Sequence, residues 1–194
     1  MPPSILSEKI ASMALEFTTS YLEDSIHVFR QFKSLADRAI SQATDPQLYE
    51  LLDKDANSIA IVMQHMAGNL KSRWTSFLSE DGDKPWRNRD REFEQPPATR
   101  EALLQMWEDG WDCAFQALQS LTEADLSRTV HIRGEAHSVM QAITRQIAHN
   151  AYHCGQIVLL AKHFQHDQWT SLTVPKGKSE EFNARVRAGQ ASQR

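Results

Sequence analysis

Hydrophobic positions recur every three or four residues along four long stretches of the chain, as the buried face of an amphipathic helix requires. The first stretch, about Ile5 to Gln42, carries Met13, Phe17, Tyr21, Ile26, Phe29, Phe32 and Leu35, and Thr44, Asp45 and Pro46 end it. The second opens with Asn57 or Ser58 as N-cap and runs through Ile59, Val62, Met63, Met66, Leu70, Trp74 and Phe77 until Asp81-Gly82-Asp83 stops it. The third follows Thr99 as N-cap, with Leu103, Leu104, Trp107, Trp111, Phe115 and Leu118 on its stripe, and closes over Leu121 to Asp125. The fourth spans Ser138 to about His166, with Ile143, Ile147, Ala151, Cys154 and Val158 facing inward. Four such helices bury their apolar faces most economically as an all-α four-helix bundle with long inter-helix loops.

The segments between are less regular. Gln47 to Lys54 fits no single period and stays unassigned. Residues 84–97, KPWRNRDREFEQPP, mix charges of both signs with prolines and form a long loop of a kind often tied to function. Thr129, Val130, His131 and Ile132, followed by Arg133-Gly134, are the only β-like piece and predict a small accessory hairpin. Residues 169–184 show no period, and the tail 185–194 is expected to be disordered. The chain thus reads as a single bundle domain over 1–184.

Composition narrows the function classes. Among 194 residues, 21 Lys+Arg against 25 Asp+Glu leave 21 − 25 = −4, without the basic excess that phosphate neutralisation demands, so no nucleic-acid partner is expected. The apolar runs Ile59 to Met63 and Ile157 to Ala161 are far shorter than the roughly 20 residues that cross a bilayer. Neither a membrane span nor a secretory leader is expected, which points to a cytoplasmic protein. Cys113 and Cys154 are too far apart for a CxxC pair and read as small buried apolar residues.

Histidine is the unusual component, with 8 residues. His149 and His153, in HNAYH, stand four apart on the fourth helix, about 40° apart around its axis and roughly 6 Å along it, so one ion is within reach of both. Their face adjoins the apolar stripe. His65 holds the corresponding position on the second helix and is the natural third ligand. Three neutral imidazoles with an open fourth position form a catalytic divalent site. The spacing also arises by chance in a histidine-rich chain, and inward histidines also occur as satisfied core residues. Asn150 stands where an HExxH protease would carry its glutamate, which excludes that pattern. His27, His131, His137, His163 and His166 read as ordinary surface or helix-end residues.

The pairing of QHMAGNLKSRW with RQIAHNAYHCGQIVLLAK resembles the DinB-like superfamily of four-helix-bundle metalloproteins, which includes the YfiT-type thiol-dependent transferases. DGDKPWRNRDREFE, TVHIRGE and SLTVPKGKSEEFN further resemble a branch of it catalogued only as a domain of unknown function, over about residues 10–184. The resemblance implies a nickel, zinc or iron ion on His65, His149 and His153, and a homodimer.

Two readings of the chemistry remain open at this point. In one, the ion activates water or a low-molecular-weight thiol for hydrolysis or thiol transfer on a small-molecule substrate. In the other, it only ties two helices together in a dimeric scaffold or ligand-binding bundle. Three ligands favour the former, because closed structural sites usually have four. Asn69 and Arg73 continue the His65 face and could contact substrate, although Arg73 could equally pair with Glu80 or Asp81. Gln146 could orient His149 or simply pack between helices. Trp86 could wall the pocket and Arg87 and Arg89 clamp an anion, or the loop could be solvated around one anchored tryptophan. Trp107 and Trp111 read as core.

Overall fold

The computed structural model describes residues 20–192. Within Ser20–Trp169, one of two compact units, the long helices are α1 (Tyr21–Gln42), α3 (Ile59–Trp74), α4 (Arg100–Ser120) and α5 (Val139–Gln165), with a short α2 (Asp45–Tyr49) after α1. Helix α3 packs on α4 and α5, and α1 packs on α5 and α4, which closes the expected four-helix bundle. Each start obeys its sequence signal. Ser58 accepts from the Ile61 N–H at 3.2 Å, Thr99 from Ala102 at 3.2 Å, and Ser138 from Gln141 at 3.1 Å, so each satisfies a donor that the first helical turn leaves free. Ser20 likewise caps α1 through the Glu23 N–H. The part of the first stretch at 5–19, with Met13 and Phe17, lies outside the described residues.

Three local expectations change. Asp45 and Pro46 do not only end a helix; they begin α2, because a proline in the first turn gives up an N–H that has no helical partner anyway. Gln47 closes the capping box by accepting from the Thr44 N–H at 2.9 Å. Helix α3 stops at Trp74 rather than continuing through Phe77, and Ser76 turns into the left-handed region at φ 49°. In the second unit, α6 (Ser179–Arg187) starts in the stretch without a hydrophobic period and runs on into the tail 185–194 expected to be disordered.

The core of the bundle is aromatic. Trp107, Trp111 and Phe29 are fully buried; Phe29 meets Trp74 and Trp111 edge-on with centroids 5.9 and 6.4 Å apart. Trp107 donates to Asp37 at 2.8 Å. Gly110 lets α4 touch α3: a Cβ there would stand 2.7 Å from the Cα of Ala67.

The hairpin forms as expected. β1 (Thr129–Ile132) pairs antiparallel with β2 (Glu135–Ser138), with Val130 opposite His137. Arg133 and Gly134, both at positive φ, make the two-residue turn that such a hairpin favours. Asp81 accepts from both turn amides, at 2.8 and 2.7 Å, and Gly82 donates to the His131 carbonyl at 2.8 Å. These bonds hold the hairpin against the loop that leaves α3. Among the described residues no helix is long and apolar enough to cross a membrane.

Candidate metal centre

His65 on α3 meets His149 and His153 on α5 where the two helices pack. One ring nitrogen from each lies within 4.8 Å of the other two, and among the described residues no cysteine or carboxylate joins the group. The Nε2 atoms of His65 and His149 are 3.3 Å apart. Nitrogens at about 2.0–2.1 Å from a tetrahedral ion stand about 3.3–3.4 Å from each other, so His65 and His149 have the spacing that such an ion needs, and His153 brings a third nitrogen within 4.8 Å of both.

The outer nitrogens are held in ways that decide the tautomers. Glu92 accepts from His65 Nδ1 at 2.9 Å, and Gln156 Oε1 accepts from His153 Nδ1 at 2.8 Å. With the proton on Nδ1, both rings turn a bare Nε2 lone pair to the cluster. Gln146 places its amide 3.4 Å from His149 Nδ1 and donates to Asn150 Oδ1 at 2.9 Å. A half-turn of both amides would give His149 the same tautomer and supply the buried, unpartnered Asn150 Nδ2 with an acceptor.

Electrostatics disfavour the charged forms of His149 and His153. Burial, and then the neighbouring His153 and His65, push His149 down to about 3. Burial also lowers His153 against the opposing hydrogen bond to Gln156. Burial alone would raise the Glu92 carboxyl, but hydrogen bonds from Arg87 and His65 reverse this and hold it below the usual range. Arg87 grips Glu92 with two bonds, Nε to Oε1 at 2.7 Å and Nη2 to Oε2 at 2.9 Å. Phe93 lies against His65, with ring centroids 4.6 Å apart.

The cluster opens on a cavity of about 470 Å³ whose wall includes Asn69, Arg73, Arg87 and Gln146 as well as the three histidines. Trp86 is not part of that wall and is 59% exposed. Arg87 is engaged mainly with Glu92 instead of standing as a free clamp. Arg73 bonds the Gly82 carbonyl and lies 3.7 Å from Asp83, rather than pairing with Glu80 or Asp81. His131 also reaches the wall, while His137 Nδ1 donates to the Glu135 carbonyl at 3.0 Å. Cys154 is buried and its thiol is pushed up to about 12 by burial, which fits the inert core role expected of it.

Glu92 is the residue that sequence reasoning missed. It sits in a short 3-10 turn, Asp90–Phe93, inside the charge-rich loop, and no helical spacing connects it with His65. The available signal was Gly68. A glycine inside a helix costs about 1 kcal/mol relative to alanine, so it needs a packing reason. A Cβ at Gly68 would stand 2.4 Å from Glu92 Oε1.

The comparisons with known proteins agree with this architecture. The solved structure of YfiT from Bacillus subtilis, described as "a probable metal-dependent hydrolase with an unusual four-helix bundle topology", superposes with a TM-score of 0.62 at 17% identity. The match covers 80% of this chain and 93% of that one, and it establishes the shared fold. No curated protein matches the sequence. A family model matches residues 16–178, nearly the whole bundle, and the chain therefore belongs to the family described as "Protein of unknown function (DUF1572)".

Proposed function

We propose that His65, His149 and His153 hold a divalent zinc, nickel or iron ion, and that the protein is a metal-dependent enzyme acting on a small molecule by hydrolysis or thiol transfer. The observation that carries this reading is the convergence of three imidazole nitrogens, within 4.8 Å of one another, beside an open cavity. When bound, the ion supplies Lewis-acid activation of water or a thiol.

The chain's own groups prepare the site. Glu92 and Gln156 hold the Nδ1 protons of His65 and His153, so the opposite nitrogens keep their lone pairs. Arg87 keeps Glu92 ionised and in place. Trp74, Phe77 and Phe93 give the cavity apolar wall, which restricts water around the reacting group. A set of three protein donors leaves room for a substrate, and the absence of a fourth donor among the described residues supports catalysis over a purely structural role. YfiT, described in similar terms, supports the hydrolytic branch by likeness of fold.

Elemental analysis of untagged protein tests the reading. Wild type is expected to carry near-stoichiometric divalent metal, and His65→Ala to lose it while circular dichroism stays helical. Metal well below one ion per chain in the wild type, persisting after reconstitution with zinc, nickel and iron, would overturn it. Global unfolding of His65→Ala together with metal loss would assign the ion a structural role.

A further inference from the structure

We infer that the cavity beside the histidines takes a small organic anion, whose carboxylate or phosphate group is held by arginines at the rim while its reactive end faces the histidines. The inference rests on the proposed metal-dependent function, because it names the substrate class of that same site.

The charge of the wall is the first observation. Five arginines line the cavity, Arg73, Arg87, Arg89, Arg133 and Arg145, and among the described residues none of the acidic side chains does, although the chain has 25 of them and a net charge of −4. The arginines come from α3, the 84–97 loop, the hairpin turn and α5, so no single helix face or local charge run explains their meeting. Concentrating guanidinium groups in this way is opposed by mutual repulsion. Arg73 shows it: burial first, and then Arg87, lower its guanidinium to about 10.

Donors without acceptors are the second observation. Arg87 spends Nε and Nη2 on Glu92, but its Nη1 is buried with no partner among the described residues, and its side chain is only 4% exposed. Trp74, 2% exposed, also leaves its indole N–H unpartnered. Arg145 lies one turn before His149 on α5, and among the described residues no hydrogen bond or ion pair engages it. Arg133 approaches Asp83 only at 3.6 Å. The wall offers several guanidinium N–H groups and no carboxylate, and its neutral acceptors, such as the buried Asn69 Oδ1, do not balance that charge; the acceptor that matches guanidinium forks is an oxyanion. The cavity, at about 470 Å³, suits a small molecule. Arg145 and Arg133 are exposed at its rim, Arg133 loosely held by Asp83, whereas Arg87 is fixed by Glu92.

Calorimetric titration of the protein as purified, with inorganic phosphate and separately with glutarate, tests the inference; metal per chain is measured on the same samples. At least one anion is expected to bind wild type, and Arg145→Gln is expected to weaken it by about tenfold or more without changing metal content. Which anion binds distinguishes a phosphate from a carboxylate ligand. Arg133→Gln provides a second variant at an exposed position. Failure of both anions to bind wild type, or binding that neither arginine variant alters, would overturn the inference. Anion binding that vanishes in His65→Ala but ignores both arginine variants would do the same, since it would put the anion on the ion alone. Arginine-dependent binding in a protein that holds no metal would remove the proposed function and leave the anion site standing. Stoichiometric metal with no anion binding would do the reverse.

Discussion

The tryptophan side of α3 and its histidine side are both buried, yet they are built on different terms. Toward α4, Ala67 meets Gly110 backbone to backbone, and Phe29, Trp74, Trp107 and Trp111 fill the space with edge-on ring contacts. Toward the 84–97 loop, Gly68 also leaves room, but a carboxylate occupies it: Glu92 reaches His65 over a glycine with no Cβ in the way. One glycine serves helix packing and the other serves a charge. The first side gains stability from dispersion and area removed from water. The second buries an ion pair and the His65 and His153 imidazoles, with His149 half-buried, an arrangement that costs desolvation and is weak evidence for stability.

That contrast can be broken from either side. The largest effect is expected for Trp111→Ala, which opens a cavity in the aromatic half and should cost about 3–5 kcal/mol in urea denaturation. Metal per folded chain should stay at the wild-type value; its loss would show that the two halves are not separable. Next comes Glu92→Gln, which replaces the charged acceptor of His65 Nδ1 with a neutral amide and strips Arg87 of its charged partner. Competition against a chelator should show divalent-metal affinity falling about 10- to 100-fold. Unchanged affinity would reduce Glu92 to a packing role.

Acidification sharpens the comparison on the histidine side alone. Burial holds His149 at about 3 and lowers His153, against an ordinary value of 6.5 in the unfolded chain. Between those values the unfolded chain takes up protons that the fold refuses. The metal-free protein therefore has this contribution to stability fully above pH 6.5 and loses it as pH falls toward 3. Thermal melts of metal-free protein should show a lower Tm at pH 5 than at pH 7.5, and equal values would mean that the imidazoles are solvated. The smallest effect is expected for Gly68→Ala. Its methyl group must displace the Glu92 carboxylate, so affinity should fall in the same direction as for Glu92→Gln but by less, about tenfold at most. A variant with tighter binding would place the functional support of His65 elsewhere.

Much of the bundle was legible because helix period and capping are local. Ser58, Thr99 and Ser138 cap the helices that their sequence context predicts, and the Arg133-Gly134 turn makes its hairpin. Pro46 misled because proline both ends and begins helices, and which it does depends on the residues that follow. His149 and His153 could be paired from their spacing on one helix, and His65 joined them from its place beside an apolar stripe. Trp86 could not be judged in the same way. Its neighbours lack a period, and the structure leaves it exposed while its neighbour Arg87 turns inward to Glu92.

The sequence by itself determined the four amphipathic helices, the hairpin, the aromatic core and the three histidines as a set, since each follows from spacing within a few residues or from a periodic face. Only the tertiary structure decided the partners that cross between elements. It brought Glu92 over Gly68 to His65, coupled Arg87 to Glu92, and gathered arginines from four separate segments around one cavity. Contacts between residues far apart in the chain depend on how loops run and helices cross, and no short-range period records them.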